Sequence, residues 1–468
     1  MSNQEHLIIL SIPFVRINRV LLSPLIKKTL QNHANLLIVS PFSDDKIFQK
    51  EFESNQTDFF MMTHPERFSQ PFHVLYSVSE ILRIHGYWMR YRKNGMEHLA
   101  ANRFISFGPN GKDIKFSIMK RLIYSFLGLI GIWRKSWRFI DSMIGPSIFE
   151  NYGLTEITRS YNKVTLIQSA SWGLQDRNLG WIARKYKWRK VLIPYTTDQL
   201  LTNGHLISDF DAVCVQGPCE YDFAMKYHNI PDCRIKKLGS LWARYIDELV
   251  QRVKNKEIAK KRKKIIGYAG VSSTYFPIES ELLGLEILLE AINQGELENT
   301  ELVYRPIAEP KEIRKEIESR FSDMSNLSIQ SSQEACYGMD TYDFSNNFED
   351  ALEEFIQQIS CYDLLVMANF TSLCIELAYI GVPTISYLFD PTGLLSKRKT
   401  EKILNKNGRE QNFPEIPVVL EQNQLITEVK KLLNDSEKFR NQAEATANRW
   451  DYKKADFKRI LEEAIDVQ

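Results

Sequence analysis

The chain has 468 residues, of which 44% are hydrophobic and 25% charged, so it is long enough for two or three domains that bury cores without covalent staples. Its cysteines (Cys214, Cys219, Cys233, Cys336, Cys361, Cys374) are scattered, with no CxxC and no paired ligand spacing, which excludes a disulfide scaffold or a zinc module and points to buried thiols in a reducing compartment. The net charge of +2 says little as a total, but residues 80–140 carry twelve Lys or Arg against three Asp or Glu, an asymmetry that points to an anionic surface or ligand.

The opening "MSNQEHLIILSIPF" lacks a basic leader and a small-residue cleavage site. "LIILSIPF" reads as a first strand, "SPLIKKTLQNH" as a helix, and "ANLLIVSPF" and "DFFMMT" as further strands. The segment "FSIMKRLIYSFLGLIGIWRKSWRFI" follows, mixing aromatic and aliphatic side chains with Lys120, Arg121, Arg134, Lys135 and Arg138. Its longest apolar run is too short to span a bilayer. Two readings stand: an interfacial helix in which Trp133, Trp137 and Phe139 enter an anionic membrane surface, or a buried helical hairpin with basic ends. A nucleic-acid partner is not expected, because the basic segment is strongly apolar and no compact binding motif accompanies it.

Four more strand candidates, "VTLIQSA", "RKVLIPYT", "FDAVCVQG" and "IKKLGS", alternate with helical "DRNLGWIARKYKW" and "PCEYDFAMKYHN". The basic, helical stretch around "KEIAKKRKK" leads into a second alternation: "KIIGYAG", "ELVYRP", "NLSIQS", "YDLLVMA" and "TISYLF" as strands, with helices between. Strands separated by helices imply parallel βαβ units. The expected fold class is therefore α/β with two doubly wound, Rossmann-like domains. The expected boundaries are an acceptor-side domain over 1–240 with a basic and aromatic insertion at about 80–146, a linker at 241–263, a nucleotide-binding domain over 264–445, and a C-terminal helix at 446–468 that packs back toward the first domain.

Ligands of open parallel sheets bind beyond the carboxyl ends of the strands, where loops present backbone amides at helix N-termini. Three such loops in the second domain carry suitable chemistry. Asn369, Thr371 and Ser372 stand where "YDLLVMA" hands over to the helix "TSLCIELAYI", with Glu376 on its first turns and Gly381 and Pro383 ending it. Ser272, Ser273 and Thr274 follow "KIIGYAG", and Arg305 closes "ELVY" with a planar set of donors suited to pyrophosphate. In the first domain, Asp198 at a strand end is the leading candidate for a general base and His205 the alternative. Arg16 and Arg19 follow the first strand and would line the acceptor side. His64, His73, His85, His98 and His228 show no metal-site spacing.

Two stretches carry a resemblance. "IELAYIGVPTISYLFD" is similar to the acidic helix, GxP and strand of glycosyltransferases with the two-domain GT-B fold. "LIPYTTDQLLTNGHLISDFDAVCVQGPCEYDFAMKYHNIPDCRIKKLGS" resembles a stretch of bacterial surface-polysaccharide transferases, Asp198, Gly204, Asp211 and Gly239-Ser240 matching its Asp, Gly, strand Asp and closing Gly-Ser. Capsule, teichoic-acid and polysialic-acid enzymes of this fold place His-Pro after the strand that here ends at Arg305. This chain departs there, with Ile307-Ala308, which speaks against a cytidylate donor of that type.

The resemblance implies two domains facing a cleft and transfer of a sugar from a nucleotide-sugar donor to a surface-glycan or lipid-linked acceptor. It implies no cofactor and no metal, since helix termini and cations can stabilise the departing diphosphate. Same-fold alternatives are a nucleotide-sugar 2-epimerase and a polyol-phosphate transferase; a non-catalytic scaffold of polysaccharide assembly is the alternative of another class. The expected location is the cytoplasm, including the inner face of the membrane.

Overall fold

The structure, a computed structural model, describes residues 4–13, 24–31, 34–52, 56–62, 70–91, 105–107, 113–115, 118–148, 151–169, 174–194, 199–202, 204–254, 263–270, 276, 278–306, 317, 319–321, 324–330, 348–371, 373–391, 413–452 and 455–466. Contacts divide the chain into two compact units. The first comprises Met1–Ala100, Ser117–Trp242 and Trp450–Gln468, the second Ala101–Phe116 and Ala243–Arg449.

In chain order, β1 (Gln4–Ser11), β2 (Asn35–Val39) and β3 (Thr57–Phe60) precede a short antiparallel ribbon of β4 (Ile105–Phe107) and β5 (Asp113–Lys115), which falls in the second unit. Then come β6 (Tyr161–Gln168), β7 (Arg189–Leu192), β8 (Ala212–Val215) and β9 (Ile235–Lys237). The first unit's seven-stranded sheet has the order β3-β2-β1-β6-β7-β8-β9, and every pairing in it is parallel. Its inner strands carry near-continuous apolar runs, such as residues 36–39 and Ala212–Val215, as strands buried on both faces do. Leu7, Ile9, Leu37, Val39, Leu166 and Leu179 share one core.

Three helices form the unit's outer layer: α1 (Gln70–Arg90), α2 (Ile118–Gly131) and α3 (Arg134–Ile148). A fourth, α4 (Leu174–Lys185), follows β6 and receives them. Its Arg177 guanidinium pairs with Asp141 of α3, donates to Ser79 Oγ of α1 at 2.7 Å and to Glu80 Oε1 at 2.9 Å, and lies 4.5 Å from the Tyr76 ring centroid. Arg177 is 3% exposed, and a buried cation is tolerated only when it is paired, as both Nη groups are here, although Nε has no hydrogen-bond partner among the described residues. The expectation that Trp137 enters a membrane is corrected here. Its ring is fully buried among these helices, whereas Trp133 and Phe139 are exposed. The chain end also belongs to this unit: Lys163 pairs with Asp466, and Arg189 Nε donates to Ala464 O at 2.7 Å.

The second unit holds β10 (Lys264–Ala269), β11 (Thr300–Arg305), β12 (Leu327–Ile329), β13 (Leu364–Ala368), β14 (Thr384–Tyr387) and β15 (Val418–Val419). They form a parallel sheet in the order β12-β11-β10-β13-β14-β15. Both sheets thus run third, second, first and then outward on the other side, the doubly wound order. In each, the winding reverses at one place, between β1 and β6 and between β10 and β13.

Candidate functional site

The reversal in the second sheet lies between two buried strands. β13 is buried at all five positions and ends at Ala368, after which Asn369 takes φ +64°. Asparagine tolerates this left-handed conformation better than other side chains with a β carbon, because its short amide bonds to the local backbone. Here Asn369 Oδ1 accepts from the Phe370 N–H at 2.7 Å, and the Asn369 N–H donates to Tyr387 O at 3.0 Å. The chain thereby turns sharply out of the sheet into helix Leu373–Ile380. Thr371 does not cap that helix with its side chain: its hydroxyl lies 3.6 Å from Met367 Sδ, and its carbonyl accepts from the Cys374 N–H at 3.3 Å. The helix begins two residues beyond Thr371, at Leu373. Ser372 lies outside the described residues, as do Ser272, Ser273 and Thr274. Glu376 is buried in the first turn, at 7% exposure.

Arg305 is the last residue of β11 and pairs in register with Ala269 of β10. Its Nη1 donates to Gln330 Oε1 at 3.2 Å, and its guanidinium lies 4.5 Å from the Phe355 ring centroid. Tyr362 donates to the same Gln330 oxygen at 3.1 Å. A half-buried arginine held in this way keeps its charge at the carboxyl edge of the sheet with little entropy left to lose on meeting an anion. Helix Ile278–Asn293 begins with Glu279 and Glu281 in its first turn, and Ser280 Oγ donates to Asp390 Oδ1 at 2.7 Å. That helix end therefore already carries negative charge.

The first sheet's reversal holds a polar cluster that sequence reasoning missed. Ser11 and Gln168, the last residues of β1 and β6, face each other in register. Asp176, in the first turn of α4, is fully buried between them. Its Oδ1 accepts from Ser11 Oγ at 2.9 Å and from Gln168 Nε2 at 3.1 Å. Gln175 Nε2 donates to Ser11 Oγ at 3.1 Å and to Val39 O at 3.0 Å. Asp176 Oδ2, Gln168 Oε1 and Ser169 Oγ have no hydrogen-bond partner among the described residues. Burial outweighs the two hydrogen bonds and pushes the Asp176 carboxyl up to about 8, so it holds its proton at neutral pH. The run of polar residues Gln175 to Asn178, past the buried strand that ends at Gln168, was the available signal.

His205 is not placed to act as a base. The residue is fully buried, its ring meets Tyr87 edge-on at 5.3 Å, and both ring nitrogens lack a hydrogen-bond partner among the described residues. Burial, and after it the nearby Arg134 charge, pulls its pKa down to about 2, so the imidazole is a neutral packing group. Asp198, Arg16 and Arg19 lie outside the described residues.

No family model and no curated protein matches the chain. Solved structures do share its fold. The S. aureus MnaA–UDP structure aligns with a TM-score of 0.51 at 11% identity, over 95% of this chain and 93% of that one. The UDP-GlcNAc 2-epimerase from Neisseria meningitidis bound to UDP-GlcNAc gives a TM-score of 0.51 at 11% identity, over 99% of this chain and 100% of that one. The chain has the GT-B fold. At this identity the likeness speaks for the architecture, two Rossmann-like units with parallel sheets, and leaves the chemistry to the residues.

Proposed function

We propose that the chain is a glycosyltransferase that moves a sugar from a nucleotide-activated donor to a surface-glycan or lipid-linked acceptor. The observation that carries this reading is the reversal point of the second sheet, where the left-handed Asn369 and the braced Arg305 end strands on either side of β10. The donor diphosphate is assigned to Arg305 and to the turn from Asn369 to Ser372, with Ser272, Ser273 and Thr274 completing its binding and Glu376 taking the ribose. Two structures that share the fold are described as holding UDP and UDP-GlcNAc, which supports a nucleotide-sugar donor. Asp198 is assigned as the base that takes the acceptor proton. His205 has no part in the proposal, because burial removes both its access and its basicity. Cations and backbone amides stabilise the leaving diphosphate in place of a metal.

A second reading, a nucleotide-sugar 2-epimerase, is favoured by the Neisseria protein's description. The two separate on one assay of the purified protein with UDP-sugars. A bound nucleotide at 100 times its Kd raises stability by about 2.7 kcal/mol, which a thermal-shift panel detects. Donor consumption that needs an added glycan acceptor supports transfer. A 2-epimer formed without acceptor replaces that reading with epimerisation, and the absence of any nucleotide binding leaves a scaffold.

A further inference from the structure

Helix α2 turns its smallest residues toward the protein and its largest away from it. A β carbon on Gly131 would fall 2.0 Å from Leu82 O, and one on Gly128 would fall 3.1 Å from Met89 Cγ, so this face packs directly on α1. Leu122, Phe126 and Leu129 follow one another along the opposite stripe at 62%, 63% and 51% exposure, and Trp133, in the turn just beyond the helix, adds 69%. On α3, Phe139 and Met143 add 66% and 56% exposure. A helix at a water-facing surface has the reverse arrangement. Among the described residues, eleven large hydrophobic side chains are exposed, and seven of them belong to this hairpin. Isolated exposed hydrophobics need no explanation, but a contiguous set marks an interaction surface.

The charge around the set selects the occupant. Lys135 is exposed and stands one turn before Phe139 and two before Met143, while Lys120 and Arg121 lie in the first turn of α2. Arg134 and Arg138 are instead taken up by the protein, donating to His228 O at 2.7 Å and to Asp209 at 2.7 and 2.8 Å. A second copy of the chain is a poor match, because a two-fold interface sets this basic segment against its own like charge. Nor can the hairpin cross a bilayer: no helix among the described residues is long and apolar enough.

We propose that α2 and α3 form a docking face for an anionic lipid surface. The stripe from Leu122 through Trp133 to Met143 lies in the boundary between headgroups and acyl chains, and Lys135 meets lipid phosphates. The proposal stands whichever reaction the protein performs.

The test is flotation of the full-length protein with vesicles of phosphatidylcholine, with and without phosphatidylglycerol, at low and high salt. It is paired with quenching of tryptophan emission by brominated acyl chains. The expected result is flotation with anionic vesicles only, weakened by salt, with quenching that Trp133→Phe reduces. Phe126→Ser with Trp133→Ser abolishes flotation, and Phe139→Ser with Met143→Ser on the neighbouring helix does so independently if the first variant misfolds. Lys135→Gln weakens binding by about fivefold. Wild-type protein that ignores anionic vesicles, or a dimer in light scattering that Phe126→Ser with Trp133→Ser splits while vesicles stay unbound, overturns the proposal.

Discussion

Gly86 and Gly131 bring two helices into backbone contact: a β carbon on Gly86 would lie 2.0 Å from the Gly131 carbonyl carbon. Helix propensity alone favours Gly86→Ala by about 1 kcal/mol. The clash wins, because the atom it meets is backbone and cannot rotate away. Gly86→Ala and Gly131→Ala should each lose about 3 kcal/mol in denaturant titrations followed by tryptophan fluorescence. Gly128→Ala meets Met89 Cγ and His85 Cβ at 3.1 and 3.2 Å and reaches backbone, the His85 carbonyl oxygen, only at an ordinary contact distance of 3.5 Å, so it should cost clearly less. Equal effects at the three positions would contradict this account of the helix crossing.

Much of the architecture was legible because parallel strands buried on both faces read as unbroken apolar runs, as "YDLLVMA" and "FDAVCVQG" do. The Asn369 junction was legible for the same reason, since small polar residues interrupt such a run at its end. Other elements left no such trace. Helix Gln70–Arg90 buries Arg83, His85, Tyr87 and Trp88 together, so its apolar periodicity is blurred. Strand Val418–Val419 is two residues long, behind Pro417. Asp176 reads as an ordinary polar residue at a helix start, and its burial comes from Ser11 and Gln168, one of them distant in the chain. His205 looked like a loop histidine because its cover, Tyr87 and the Arg83 side chain that donates to its carbonyl at 2.6 Å, comes from a helix more than a hundred residues earlier.

At the second sheet's reversal point, Arg305→Gln removes the charge and keeps a donor. UDP affinity by calorimetry should fall about tenfold or more, as expected for a lost charge-assisted hydrogen bond. Asn369→Gly preserves the left-handed backbone and should bind nearly as well as wild type, whereas Asn369→Val, strained at φ +64°, should not. Thr371→Val with Ser372→Ala should also weaken binding. Unchanged affinity in both Arg305→Gln and the double variant would remove the phosphate site.

Two of the three histidines buried among the described residues, His205 and His228, give the fold an acid limit. Burial is the leading cause in both, taking His205 to about 2 and His228 to about 3. The unfolded chain binds these protons near pH 6.5 and the folded one does not. The stability they allow is therefore complete above pH 6.5 and is lost as pH falls below it, by up to about 1.4 kcal/mol per pH unit for each ring. His205→Leu removes a ring whose nitrogens have no hydrogen-bond partner among the described residues, so it should flatten the loss between pH 7 and pH 5. Turnover at neutral pH should persist in this variant. A collapse of turnover with stability intact would return His205 to the chemistry.

Asp176 has the opposite sign. Its carboxyl, pushed up to about 8 by burial, is protonated in the folded chain at pH 6 and ionised in the unfolded one. The unfolded state then binds fewer protons, so stability declines as pH rises from about 4 toward 8, by at most about 1.4 kcal/mol per pH unit. Asp176→Asn keeps an oxygen to accept from Ser11 and Gln168 and replaces the acidic hydroxyl with an amide that cannot ionise. Measured against wild type by denaturant titration, the variant should gain relative stability steadily between pH 5 and pH 8. If that difference stayed constant across the range, Asp176 would be ionised in the folded protein, with a cation or further hydrogen-bond donors supplied to its Oδ2.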